Sequence, residues 1–518
     1  PKEHHMDTLL AAVPLITILV LMIGFRWSGA KAGVAGWLSA LIIAALRFGT
    51  GTDVLFWAQI HGLFRAGYVL YIIWGALLFF RVTEADGTLQ SMSNLLQQLA
   101  PGRILQVLLL AWGFTSFLQG VGGFGVPVAV VAPILVTMGF TALDSVVMAS
   151  VGHAWAISFG SLGASYEALV SATGIEGPVI APWMAINLGV ICFIVGFTVL
   201  WISGGKKSVR QEAGPWLTMA VTMSVVQYIA VRARVENIGA MLGSLAGLFI
   251  GSLWALARRS RLPDKQNDPI STEQILRSML PYLLLIVIIF AVNFVTPLNN
   301  LLNQLQLTVQ VPRLTLADGR VIPAKLTKAI SVFGHPGAQL VYAGLLALGL
   351  AAARGSLPPG SGEKIRKGIV RSGVKSTIGI LAMMAMATTM QLAGMVTELS
   401  SAMAALAGDF FPLITPLIGA LGAFMTGSNT NSNVLLGAFQ QQVAENLGLY
   451  VPLILAFHNA GAATGSVFAP AKIIVGCSTV GLSGGESEAL RRTTRYGLII
   501  LVILAVLGLL ATELLPLS

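Results

Sequence analysis

Apolar runs of about the 17–25 residues that a membrane helix needs, or a little shorter, recur along the whole chain. They read as spans at residues 8–25, 32–46, 56–80, 145–160, 179–202, 216–230, 238–257, 279–295, 339–353, 378–396, 451–475 and 497–515, twelve in all. Charge is too scarce for another reading. Only 10% of the 518 residues are Asp, Glu, Lys or Arg, against roughly 25% in a soluble domain, so most of the outer surface must face lipid. Disordered, disulfide-scaffold and ordinary soluble-enzyme folds are excluded on that ground. The net charge of +10 points to no nucleic-acid partner, because the basic residues form short clusters between apolar runs instead of a face or stripe. Cys192 and Cys477 lie inside apolar runs, so neither a metal site nor a disulfide framework is indicated, and no cofactor is expected.

Lysine and arginine in short loops mark the cytoplasmic side. Clusters at Arg26/Lys31, Lys206/Lys207/Arg210, Arg258/Arg259/Arg261, Arg354/Lys364/Arg366/Lys367 and Arg491/Arg492/Arg495 all follow odd-numbered spans. Both termini are therefore expected outside, in a plasma (cell inner) membrane. Arg232 and Arg234 dissent, since they fall in an outward gap. The longest outward gap is read as an extracellular loop over 297–338, in which residues 307–311 and 313–322 form a small β-hairpin around Asp318-Gly319. Residues 1–5, ahead of Met6, look like a cloning remnant and are set aside. The first span is not read as a signal peptide, because a charged loop and a second span follow at once.

Two further apolar stretches are broken in the middle by small or polar residues. The first, 104–140, is interrupted at Gln119-Gly120-Val121-Gly122-Gly123-Phe124-Gly125. The second, 411–446, is interrupted at Thr426-Gly427-Ser428-Asn429-Thr430-Asn431-Ser432-Asn433. Non-helical backbone at membrane depth survives only where protein or a wet cavity satisfies it, so each stretch reads as a re-entrant helical hairpin with its tip at a cavity. The breaks also align: Gly113…Phe117-Leu118-Gln119-Gly120 matches Gly419 or Gly422…Phe424-Met425-Thr426-Gly427 at an offset of 307. His153 falls 33 residues after Gly120 and His458 falls 31 after Gly427, each near a glycine-rich run expected to be irregular, 158–165 and 460–469. Seven spans separate the hairpins, and an odd number makes them enter from opposite faces. The chain thus reads as two inverted halves, 6–235 and 236–518, with a site at the midplane between broken helices, as in secondary transporters. Two glycine-rich packing faces are the alternative. The three Asn, two Ser and two Thr of the second break argue against it.

A broken helix presents unpaired N–H groups at the positive end of its second arm, which suits a carboxylate. Gly120, Gly122, Gly123 and Gly125 would let backbone approach a ligand, while Thr426, Ser428, Asn429, Thr430, Asn431, Ser432 and Asn433 supply polar groups, and a small hydroxylated anion fits this inventory. His153 and His458 could bond substrate or carry a proton. Glu167 and Lys472 each lie 14 residues after their half's histidine and could meet as an ion pair near a pseudo-twofold axis. Residues 120–125 match G-x-G-x-x-G, yet no strand precedes them, so no nucleotide site is read. Nothing favours a membrane enzyme.

The run from Gly113 to Ala129, the run from Phe424 to Asn433, and Asn459…Thr464-Gly465…Pro470 resemble the lactate permease family, and the resemblance extends from the first span to the last. It implies a bacterial or archaeal transporter of lactate and often glycolate, generally with protons. It also implies an all-α fold of the ion transporter superfamily, with about twelve spans, two opposed hairpins and elevator-type movement. Substrate contacts are expected at both tips, with the hydroxyl bonded by Gln119, Asn429 or a histidine, and with Asn459 nearby. The family typically has Glu where Gln119 stands, Asp where Asn429 stands and a small polar residue at Lys472. Neither amide can titrate. Either Glu167 or a histidine carries the coupled proton, or Lys472 supplies a fixed charge in place of a coupling cation. The expected partners are a small carboxylate, a proton or sodium, the bilayer and a second copy of the chain. The alternatives are a sodium-coupled or exchange carrier of another carboxylate or small anion, and a passive anion channel.

Overall fold

The computed structural model describes residues 2–123, 125–260, 272–316, 319, 321–482 and 484–514. Pro1, Phe124 of the first tip, Arg261, Asp318 of the loop and Leu515 lie outside them. Among the described residues twelve helices are long and apolar enough to cross a membrane, or fourteen when two bent pairs are counted as spans. The total of twelve is the one expected, but its membership differs. Residues 145–160 and 279–295 belong to the bent pairs, Ala142–Ala156 with Ser161–Thr173 (44°) and Ser278–Phe294 with Thr296–Leu302 (88°). In the first pair glycines and serines interrupt the helix; in the second the X-Pro step at Thr296-Pro297 starts a new one. Their places among the twelve are taken by Arg103–Val121 and Met395–Thr426, which contain the first arms of the two interrupted stretches.

The chain begins with α1 (Lys2–Ile23) and α2 (Gly29–Leu46). A series of elements then occurs twice. Its first copy is a long helix α3 (Thr52–Ala85), a short helix α4 (Thr88–Leu99), a helix–turn–helix pair, a broken helix made of α8 (Ala142–Val151) and α9 (Ala164–Thr173), and a long helix α10 (Gly177–Gln211). The first arm of that pair runs α5 (Arg103–Val107), a π-helical stretch (Leu108–Phe114) and α6 (Thr115–Val121), and the second is α7 (Val126–Thr137). Between the copies come α11 (Ala213–Arg232), α12 (Gly239–Arg259), α13 (Thr272–Phe294), α14 (Thr296–Leu302) and α15 (Pro336–Ala353). The second copy is α16 (Ser361–Leu392), α17 (Met395–Ala407), the pair α18 (Phe411–Thr426) and α19 (Asn429–Asn446), the broken α20 (Val451–Val467) with α21 (Pro470–Thr479), and α22 (Glu486–Leu514). Basic residues placed in a loop after the ninth span, Lys364, Arg366 and Lys367, instead sit on the first turns of α16, which starts well before its apolar part.

Large apolar side chains stand exposed on the outer helices, among them Leu9, Phe249, Val287 and Val502. No water-soluble chain leaves so many uncovered, and they are the lipid-facing surface. Inside, close helix crossings replace hydrophobic drive, which lipid removes. The equivalent helices α3 and α16 run antiparallel. A Cβ at Gly62 would lie 2.8 Å from Ala385 Cα, and Trp74 Nε1 donates to Thr377 Oγ1 at 3.0 Å. The loop after α14 forms one long, irregular β-hairpin from three short rungs, Gln306↔Ser331, Gln310↔Leu326 and Leu314↔Ile322. It extends further than the expected hairpin. His335 fixes its return: the ring stacks on Tyr71 (4.8 Å between centroids) and Nδ1 accepts from Gly337 N at 3.0 Å, capping α15.

Candidate functional site

Each helix–turn–helix pair closes on itself. In the first, Arg103 Nη2 donates to Gly139 O at 2.6 Å and its guanidinium lies 3.8 Å from the Phe140 ring centre, joining the open ends of the two arms. Gly125, at φ 84°, makes the turn, and Pro127 follows at the start of α7, where its missing N–H costs nothing. In the second pair Phe411 packs with Val443 and Ala444 at the open end. Thr415 Oγ1 donates to Gln440 Oε1 (3.2 Å), and Ser432 Oγ donates to Gly419 O (2.8 Å). Gly427 (φ 72°) turns the chain, and Ser428 caps α19 by accepting from Asn431 N at 3.3 Å.

The two turns converge on the break between α8 and α9. Three consecutive residues there, Ser161 (φ 48°), Leu162 (φ 54°) and Gly163 (φ 84°), are left-handed. Two of them carry a Cβ, and such strain persists only where the surroundings impose it. From one side, a Cβ at Gly160 would lie 2.7 Å from Gln119 O and 3.1 Å from Gln119 Nε2, and one at Gly123 would strike Ser161 Oγ. Trp155 Nε1 donates to Ser116 Oγ at 2.7 Å, and Ser116 Oγ donates to Gly152 O at 3.1 Å. From the other side, Asn429 Nδ2 donates to Ser158 Oγ (3.3 Å) and Asn433 Nδ2 to Ser165 O (2.8 Å). The Thr430 and Ser165 hydroxyls share a bond at 2.9 Å.

On the elements that meet here, buried polar atoms lack partners: Gln119 Oε1, His153 Nε2, Asn429 Oδ1, Asn433 Oδ1 and both side-chain atoms of Asn459. His458 is in the same condition, apart from a marginal approach of the Ser432 backbone. None of these residues is more than 3% exposed. Each unsatisfied group costs about 1–3 kcal/mol, so a cluster of them is a place where bound water or a polar ligand completes the bonding. Lys472 Nζ donates to Ser466 Oγ at 3.2 Å, and among the described residues no carboxylate pairs with it. The surroundings therefore offer acceptors, donors and a cation, the chemistry of a small hydroxylated anion.

Several expectations change. Gly120 and Gly122 do not open onto this space. A Cβ at Gly120 would lie 2.9 Å from the Met241 backbone and one at Gly122 2.6 Å from the Phe80 ring, so both serve helix packing. Thr426 bonds Gly422 O and Ser428 O within its own turn, and Ser432 bonds Gly419 O, also within its pair. Residues 460–467 continue α20 as regular helix, because alanines and glycines there pack against α18; the break comes only at Phe468-Ala469. Glu167 and Lys472 do not pair. Glu167 faces the β-hairpin loop, where Lys328 Nζ stands 3.2 Å from Oε2. The sequence marks Ser158, Ser161 and Ser165 only as part of an irregular run; the structure sets Ser161 against the first turn and Ser158 and Ser165 against the second. Arg65, Tyr68 and Lys328 had no sequence signal beyond Arg65 being a cation inside a predicted span.

The sequence model of the L-lactate permease family matches residues 7–515. An L-lactate permease of Bacillus subtilis is 26% identical, with 97% of this chain and 95% of the relative covered. The glycolate permease GlcA of Escherichia coli is also 26% identical, over 98% of this chain and 95% of that one. Among solved structures, the YdaH transporter of Alcanivorax borkumensis is similar in fold, with TM-score 0.52 at 13% identity, covering 94% of this chain and 99% of that chain.

Proposed function

Because the chain belongs to the L-lactate permease family, we propose that it is a secondary active transporter of lactate, glycolate and related small 2-hydroxy monocarboxylates. It is a multi-pass membrane protein of a permease family, not an enzyme. The observation that carries the reading is the strained break at Ser158–Ser165 held between two helical turns, with buried side-chain atoms of Gln119, Asn429, Asn433, Asn459, His153 and His458 left without a partner on the elements that meet there. The carboxylate binds at the N-terminal end of α19, where backbone N–H groups and the dipole favour negative charge. The hydroxyl bonds Gln119 or Asn429, and Lys472 offsets the substrate's charge. Relatives named as lactate and glycolate permeases support the substrate class.

The two pairs act as re-entrant hairpins of opposed topology. Support comes from the repeated order of elements, with copies inside the halves 6–235 and 236–518, and from the antiparallel packing of the equivalent helices α3 and α16. Alternating exposure of the break follows, with the hairpins moving as an elevator against the rest of the fold. Coupling is to protons, and since Gln119 and Asn429 do not titrate, Glu167 or a histidine carries the proton. The competing account makes Lys472 a fixed counter-charge and the carrier uncoupled or sodium-dependent. A pH jump on proteoliposomes separates the two. Lactate accumulation under an inward proton gradient, abolished by protonophore, is the expected result; gradient-independent uptake means that Lys472 replaces the coupling ion.

A further inference from the structure

Arg65 takes no part in the junction of the two turns. It lies within α3, and its Nη1 donates to Gln391 Oε1 at 3.1 Å and to Ala172 O at 3.4 Å. Both acceptors are neutral, and among the described residues no carboxylate pairs with it. A guanidinium in a membrane helix is costly and marks function by default.

Arg65 opens on a cavity of about 460 Å³ lined also by Tyr68, Ser171, Glu176, Arg234 and Lys328. Ser171 is 4% exposed, and its Oγ has no partner. Lys328 crosses the space from the β-hairpin loop, 3.2 Å from Glu167 and 3.7 Å above the Tyr68 ring. The acids near this wall are engaged elsewhere or stand at its rim: Glu167 is held by Lys328, Glu236 accepts from Tyr166 Oη at 2.9 Å, and Glu176 is exposed, as is Arg234, so Arg65 is left with neutral partners alone. Helix α9 forms one side of this cavity with Ser171, and six residues earlier Ser165 bonds Thr430 and Asn433 at the hairpin tip. Six residues of helix span about 9 Å.

We infer that this cavity is a second anion site, a vestibule where a small carboxylate waits on Arg65 and Ser171 before reaching the hairpin tips. The ligand class rests on the transport reading above; the site's preference for anions does not. Lys328 is its latch, exchanging Glu167 for the arriving carboxylate. Arg234, one of the two arginines that dissent from the loop-charge rule, lines this cavity beside Leu326–Lys328 of the β-hairpin loop. Cations that, among the described residues, no carboxylate binds directly serve there to gather anions.

The test uses the full chain in proteoliposomes with Ile175→Cys, a neutral change at the cavity wall, against the native background of the buried Cys192 and Cys477. A sulfonate-bearing methanethiosulfonate is expected to label Cys at 175 about tenfold or more faster than a trimethylammonium-bearing one, because the local field concentrates anions. Adding Arg65→Gln is expected to erase the preference, and millimolar lactate to slow labelling while Arg65 is present. Equal rates for the two reagents overturn the site, and so does a preference that survives Arg65→Gln. The charge preference is read with Arg65 in place, so the test holds even where Arg65→Gln does not fold. A preference without lactate protection retains the anion site and rejects lactate as its occupant.

Discussion

Asn429→Ala is expected to lower lactate transport efficiency about 10- to 150-fold while leaving the protein folded. Asn429 begins α19, donates to Ser158 and has a buried Oδ1 with no partner. A hydrogen bond to a charged group contributes about 1.5–3 kcal/mol, and each 1.4 kcal/mol is a factor of ten. The same residue ties a hairpin tip to the break, so the effect combines lost substrate contact with lost alignment. Ser158→Ala separates the two. It removes the acceptor of Asn429 Nδ2 and leaves Oδ1 free for substrate, so its cost falls to about 0.5–1.5 kcal/mol, a two- to twelvefold loss. Initial rates of labelled lactate uptake across a concentration series measure both, with thermal midpoints as the check on folding. Equal losses would mean that Asn429 acts only through Ser158.

Gly461→Leu is expected to prevent stable folding. Helices α18 and α20 cross backbone to backbone: a Cβ at Gly461 would strike the Pro416 carbonyl oxygen and lie 2.5 Å from Pro416 Cα, and Gly465 meets Ala420 in the same way. This G-x-x-x-G face lets two membrane helices approach without side chains between them. Overpacking a tight core costs about 1–3 kcal/mol for modest additions and more for a branched side chain against rigid backbone. Gly461→Ala therefore lowers the thermal midpoint measurably, and Gly461→Leu abolishes the monodisperse peak in detergent. Gly349→Ala on α15, where nothing lies within 4 Å, is the control and stays within about 0.5 kcal/mol of the parent. The consequence reaches the site, since the crossing sets the second hairpin against His458 and Asn459.

The membrane class, the count of long apolar helices and both interrupted stretches were legible because hydrocarbon tolerates so few patterns. A run such as 426–433, crowded with Asn, Ser and Thr between apolar arms, has no place there except at a polar junction. The glycines were less readable. Gly120, Gly122 and Gly123 look alike in sequence, yet Met241 and Phe80 occupy the space at the first two, and only Gly123 meets the site. Glycine marks close approach but does not name the neighbour. For the same reason 460–469 looked irregular, when small residues there permit a helix crossing. Ion-pair choice was out of reach. Matching positions in a repeat suggested Glu167 with Lys472, whereas Lys328 arrives from a loop more than 150 residues away. Arg65 was hidden because periodicity cannot tell a lipid-facing cation from one beside a cavity.

The central claim is that the break at Ser158–Ser165, held between the two hairpin tips, binds and carries small 2-hydroxy monocarboxylates. Counterflow in proteoliposomes loaded with unlabelled L-lactate tests it most directly. The account predicts a saturable overshoot of external labelled lactate, competed by glycolate, untouched by dicarboxylates and lost with Asn429→Ala. A linear, non-saturable flux without overshoot, or an overshoot of full size in Asn429→Ala, would contradict it.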